Sequence, residues 1–212
     1  MPDARVFDAG CRDCPRLATF LDDVQGRYPD YYCRPVPPFG DADARFLVVG
    51  LAPGMHGANR TGRPFTGDHA GILLYRMLHE YGFSSAPESV APDDGLELTG
   101  GRITNAVKCL PPDNKPVGAE INTCNRFLAA ELATLPAGAV VLALGGIAHR
   151  AIIKAVGGRQ ADFKFAHGAV HALSGFRLLD SYHCSRYNTN TGRLTEAMFA
   201  EVFDQARLML EP

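Results

Sequence analysis

The residues of this sequence that could do chemistry fall into two sets. The first is a set of thiols. Cys11 and Cys14 form a C-x2-C pair, Cys109 follows an apolar run, and Cys124 lies on the next helical stretch. Two thiolates three positions apart can clasp one metal, and a second pair completes a tetrahedral shell. A redox pair or simple buried thiols are the alternatives. Four cysteines suit zinc and an iron–sulfur cluster equally, so ligand type leaves the metal open. Cys33 and Cys184 read as small buried residues.

The second set sits in three polar loops. Residues 50–68, GLAPGMHGANRTGRPFTGD, are dense in glycine, which lets backbone amides approach a ligand. No G-K-[ST] follows and the glycine spacing is wrong for a dinucleotide fingerprint. Phe65 is a candidate stacking platform or a core plug. Asp68 stands before a helix, where it could cap the helix or serve a reaction. The loops at 105–115 and 183–193 add Asn105, Asn114 and Asn188, whose carboxamides can read a base edge or shape turns. His183 leads the last of these loops. Arg60, Arg63, Lys108, Lys115, Arg186 and Arg193 together could form a phosphate-binding rim.

Lys plus Arg number 21 and Asp plus Glu 23, so bulk charge cannot be the means of gripping a polyanion. Hydrophobic residues at 46% with 21% charged match a folded soluble domain and argue against disorder. No apolar run approaches the ~20 residues that cross a bilayer, and the first residues lack a secretory h-region. The expectation is a cytoplasmic protein with no membrane association. Its six cysteines are then free thiols or metal ligands and not a disulfide framework.

Elements must position these groups. Residues 1–45 read as an arm carrying the first Cys pair, too rich in Pro and aromatics along RYPDYYCRPVPPFGD for a regular element. Strands are expected at 45–51, 102–107, 139–144 and 176–181, and helices at 71–81, 119–135, 147–156 and 195–210. Residues 157–175 read as irregular with short strands. Strands alternating with helices imply a single domain over 1–212, a three-layer α/β/α sandwich around a mostly parallel sheet. Ligands of such sheets sit beyond the carboxyl ends of the strands, so the three polar loops are expected to meet in one cleft.

Taken together, GLAPGMHGANRTGRPFTGD, ITNAVKCLPPDNKP with Cys124 after it, and SYHCSRYNTNTGR resemble the motifs of the uracil-DNA glycosylase superfamily, and most of all its type 5 branch. The resemblance spans the chain from Cys11 to the last helix. It implies a [4Fe–4S] cluster on Cys11, Cys14, Cys109 and Cys124, which decides iron–sulfur over zinc and leaves Cys33 and Cys184 out. It implies double-stranded DNA containing uracil or another deaminated base as the partner, a monomer, and hydrolytic base excision to an abasic site.

The strict uracil enzymes carry an Asp or Asn in the first motif where this chain has Ala52, and Asp68 resembles the type 5 substitute. Asp68 and His183 are thus the expected catalytic pair. Ala52, Gly54, His56, Phe65 and Asn105 are expected to bind the base, with Asn114 as a rival reader and Asn188 beside them. Arg60, Arg63, Arg186, Tyr187 and Arg193 are expected on DNA, with Arg186 or Tyr187 as the wedge. A site leaning on backbone contacts should admit hypoxanthine and etheno or oxidised pyrimidines as well as uracil.

Overall fold

The computed structural model describes residues 7–211. Six strands form one sheet in the order β1-β3-β2-β4-β6-β5. The central four, β3 (Gly101–Asn105), β2 (Phe46–Gly50), β4 (Ala139–Leu144) and β6 (Phe176–Ser181), run parallel. The edges are antiparallel: β1 is the pair Phe39–Gly40, and β5 is Val170–Leu173. The two innermost strands, β2 and β4, are buried along their whole length, as strands covered on both faces must be.

Side-chain alternation divides the core. Phe46, Val48, Ile103, Leu142 and Leu179 pack on α3 (His69–Glu80) and α7 (Glu196–Leu210). Leu47, Val49, Val141, Ala143 and Leu178 point the other way, onto α4 (Gly118–Ala133) and α5 (Gly146–Ala155). The three layers are therefore dictated by period-two alternation meeting two pairs of amphipathic helices. Thr195 caps α7 by accepting from the Met198 amide.

The arm departs from expectation. Pro15–Arg27 is a helix, α1, which buries Leu17, Leu21 and Val24. Proline at its first position hides the helix from a reading that treats proline as a breaker, although that position needs no amide donor. The segment after it has no regular element until β1. Two of the polar loops also hold single short helices, Ala58–Thr61 (α2) and Arg186–Asn190 (α6).

Behind the sheet's carboxyl edge lies a buried ionic group. His149 Nδ1 is 2.8 Å from Asp180 Oδ1 and His149 Nε2 is 3.0 Å from the Phe163 carbonyl, while His171 Nε2 is 3.2 Å from Asp180 Oδ2. The Phe163 carbonyl can only accept, so Nε2 donates to it, and the Asp180 carboxylate favours a second proton on Nδ1. Burial pulls its pKa down, but the hydrogen bond and charge of Asp180 and the Phe163 carbonyl outweigh burial, and the net shift is upward from 6.5. The pair ties α5 to β6, two elements that both run into the cleft.

Asp180→Asn keeps the shape and removes the charge. It should lower unfolding free energy by about 3 kcal/mol. A raised folded pKa means the stabilisation is complete below 6.5 and fades as pH rises through the folded value. Urea denaturation of both proteins at about pH 6 and about pH 9 checks this: the gap between them should narrow at the higher pH.

Candidate active site

Strands β2 and β3 end side by side, with Gly50 in register with Asn105. A Cβ on Gly50 would lie 2.4 Å from Asn105 Oδ1 and 2.6 Å from the Phe65 ring. Glycine is what lets both side chains close over the strand end. Phe65 is buried with φ at +58°, a left-handed conformation that costs an aromatic residue about 1–3 kcal/mol. Its carbonyl would sit 1.9 Å from a Cβ on Gly71, so that glycine is needed too.

Asp68 occupies the N-cap position of α3, yet its side chain makes no cap. It turns instead to the loop before α2, where Oδ2 accepts from the Ala58 amide at 3.3 Å. Cβ atoms on Gly54 and Gly57 would fall 2.5 and 1.9 Å from its carboxylate, so these glycines open the space it fills. Burial raises its pKa above 3.8, against the Ala58 amide and the charges of Arg60 and His56.

His183 lies just past β6, its ring nearly parallel to that of Phe65 (26°, centroids 6.0 Å apart). The ring is enclosed by protein except where it meets the cavity, and burial pushes its pKa down to about 4. It is therefore neutral at pH 7. Its Nδ1 is buried without a hydrogen-bond partner among the described residues, and so is Asn105 Oδ1. Asn105 is 3% exposed. Buried polar atoms left unpaired inside a cavity mark where a ligand is expected to supply the partner.

Phe65, Asp68, Asn105 and His183 all line one cavity of about 500 Å³, within the range of small-molecule sites. Ala52, Gly54, Asn114 and Arg186 line it as well. The three polar loops do converge. A fourth segment, Gly145, Gly146 and Ile147, completes the wall, and His69 joins from α3. The sequence carried a signal for the fourth segment: a glycine pair directly after the β4 strand end.

Other expected residues lie elsewhere. His56 is exposed, bonded to the Tyr31 hydroxyl at 2.9 Å and packed edge-on to Tyr28 and Tyr31, outside the cavity lining. Asn188 does not line it either; its Nδ2 donates to the His183 carbonyl at 2.7 Å and so braces that residue. Arg63, expected on DNA, is buried against Asp94 at 2.6 Å. Lys108 is likewise buried, paired with Glu131. A guanidinium or ammonium in the interior must have a counter-charge, and neither is free to meet phosphate. Of the expected cationic rim, Arg60, Lys115, Arg186 and Arg193 remain exposed. Arg193 lies over the Tyr182 ring at 4.7 Å. Tyr187 is 71% exposed on α6 beside Arg186.

Cys11 and Cys14 precede α1, Cys109 follows β3, and Cys124 is on α4; all four wall one small cavity with Leu17, Ala18 and Phe127. The Lys108 amide donates to Cys124 Sγ at 3.3 Å, and Arg126 donates to Cys11 Sγ at 3.5 Å. Burial first, then the charge of the neighbouring cysteines, pushes the Cys109 thiol up to about 12. Such a cluster becomes four thiolates when a cation gathers it, so the donor set fits a thiolate-bound metal group. Arg16, paired with Glu120 at 2.7 Å, holds α1 to α4 beside it.

The chain belongs to the uracil-DNA glycosylase superfamily: residues 37–207 match the sequence profile described as "UDG: Uracil DNA glycosylase superfamily". Within it the similarity runs to the type 5 group. The chain is 52% identical over 203 residues to the "Type-5 uracil-DNA glycosylase" of Thermus thermophilus, covering 93% of this chain and 92% of that one. To the protein of the same name in Pyrobaculum aerophilum it is 48% identical, covering 92% and 87%. The "Type-4 uracil-DNA glycosylase" of Thermotoga maritima is 28% identical, with 81% of each chain covered. Among the described residues no helix is long and apolar enough to cross a membrane.

His183 should titrate near pH 4. Unfolded, it would take its proton near 6.5, so the fold loses stability as pH falls from 6.5 towards 4. Imidazole nitrogen shifts followed by NMR, with His183→Gln to assign the signal, check the value; a midpoint near 6.5 would contradict it.

Proposed function

We propose that this chain is a monofunctional DNA glycosylase that excises uracil, and with it hypoxanthine and etheno or oxidised pyrimidines, from double-stranded DNA. The observation that carries the proposal is the meeting of Phe65, Asp68, Asn105 and His183 on one cavity, at whose wall Asn105 Oδ1, His183 Nδ1 and His69 Nδ1 have no partner among the described residues.

A base must leave the stack to be reached, which costs a few kcal/mol and least at a mismatch such as U·G. In the cavity it stacks on Phe65. Asn105 Oδ1 accepts a base N–H, and amides of the loop around Ala52 and Gly54 meet its carbonyls. Water adds to C1′ as the N-glycosidic bond breaks, and the bonding pair leaves with the base. The neutral His183 donates a hydrogen bond to the oxyanion that grows on the base, a stabilisation worth most in an enclosed site. Asp68, as a carboxylate, faces the cationic sugar and takes the proton of the incoming water. With Ala52 at the position of the strict enzymes' polar residue, selection rests on backbone contacts and leaving-group stabilisation, which tolerate several bases. Arg60, Lys115, Arg186 and Arg193 contact phosphates, and Tyr187 fills the gap left by the flipped base. The protein acts as a cytoplasmic monomer.

We also propose that Cys11, Cys14, Cys109 and Cys124 hold a [4Fe–4S] cluster. Support comes from the four sulfurs walling one small cavity and from the resemblance of the motifs that carry them to those of the iron–sulfur members of the superfamily. When bound, the cluster supplies a covalent cross-brace between α1, the β3 loop and α4.

On duplexes with one uracil, free base and an alkali-sensitive abasic site should form without direct strand nicking. Asp68→Ala and His183→Ala should each slow single-turnover excision by ~10²-fold or more; near-normal cleavage by both would refute these roles. Parallel duplexes with hypoxanthine and ethenocytosine test the wider range. Iron and inorganic sulfide analysis should give about four of each per chain, falling sharply in Cys109→Ser.

A further inference from the structure

We infer that Arg63 and Asp94 are positioning residues that hold the Phe65 ring in the base cavity, a role that rests on the base-stacking reading above. Phe65 is the third residue of a turn closed by the Thr66 amide donating to the Arg63 carbonyl at 3.3 Å. Pro64 is its second residue. A proline followed by a residue at positive φ is the pattern of a turn that takes glycine third, and here a phenylalanine stands in that place. Something must hold the turn in a conformation that its own sequence disfavours.

Both of its ends are clamped to the same loop, residues 85–98. At the first end, Arg63 Nη1 reaches Asp94 Oδ1 at 2.6 Å and Ser89 Oγ at 3.0 Å, and Nη2 donates to the Pro92 carbonyl. Its guanidinium also lies 4.4 Å over the Phe39 ring of β1. At the far end, Thr66 Oγ1 is 2.7 Å from Ser89 Oγ, and the Gly67 amide donates to the Ser89 carbonyl at 3.2 Å. Asp94 organises that loop in turn: Oδ2 accepts from the Val90 and Ala91 amides and Oδ1 from the Leu96 amide. The Arg63 and Asp94 side chains are only 7% and 12% exposed, so neither has water to fall back on. None of the clamp residues Arg63, Thr66, Ser89, Pro92 and Asp94 lines the cavity, and Phe65 is the one residue of the turn that does. The clamp acts on substrate through that ring alone.

The chain has no tryptophan, so Phe65→Trp places a single tryptophan at the turn, excited selectively at the red edge where tyrosine does not absorb. In that background Arg63→Gln should raise acrylamide quenching several-fold while circular dichroism keeps its helix signal. In the native background Arg63→Gln should lower kcat on a uracil duplex by ten- to a hundredfold with KM nearly unchanged. Combined with Phe65→Ala it should cost nothing beyond Phe65→Ala itself, because the two act through one ring. Unchanged quenching, or effects that multiply, overturns the inference. A raised KM with a shallower salt dependence does so as well, since that would make Arg63 a phosphate contact. Should Arg63→Gln not fold, Arg63→Lys answers the same questions: it keeps the charge but cannot span Asp94, Ser89 and Pro92 at once. Full activity of Phe65→Ala alone would sink the stacking reading, whereas quenching in the tryptophan background does not depend on excision and judges the clamp separately.

Discussion

The cavity depends on crowding at one strand end. Gly50 has no side chain, and into that gap come Asn105 from the neighbouring strand and Phe65 from a distant turn. The parallel register sets Asn105 beside it, and Gly54, Gly57 and Gly71 repeat the device for Asp68 and for the Phe65 carbonyl. Backbone and side chain thus approach more closely than any other residue at these four places would allow. The glycine-rich loop is less a flexible segment than a mould for two particular side chains.

Asp68 and His183 are held in opposite ways. Asp68 is tethered by an amide, and Arg60 and His56 oppose the upward push that burial gives its pKa. His183 has its carbonyl braced by Asn188 and its ring left without a partner, and burial keeps it neutral. A carboxylate and a neutral imidazole in one pocket suit a reaction that builds positive charge on a sugar and negative charge on a base, with no strong acid needed.

The helix α4 is held to the arm and to the segment after β3 by charged groups with fixed partners. Arg16 pairs with Glu120, Lys108 with Glu131, and the four cysteines face one another between them. Away from that region, His149 with Asp180 and Arg63 with Asp94 play the same part behind the cavity. Interior charges are costly unless paired, and a pair with its hydrogen bonds complete fixes the relative placement of the two elements that supply it.

Much of this was legible in the chain itself. The strands at 139–144 and 176–181 have the expected bounds, and the first, AVVLAL, is the continuous hydrophobic stretch in which a buried parallel strand is written. Loops at strand ends told which segments would meet. What sequence hid was α1, masked by a proline at a position that tolerates one, and the fate of individual polar side chains. Arg63 and Arg60 look alike in the same motif, yet one is interior and the other exposed. His56 and His183 are both histidines in polar loops, and one packs on tyrosines while the other lines the cavity. Residue type and spacing determined the layers, the sheet direction and the end at which the chemistry gathers, since those follow from local periodicity and strand topology. Which charges stay free and which become girders was decided only in three dimensions, because burial and the nearness of a counter-charge come from residues far away in the chain.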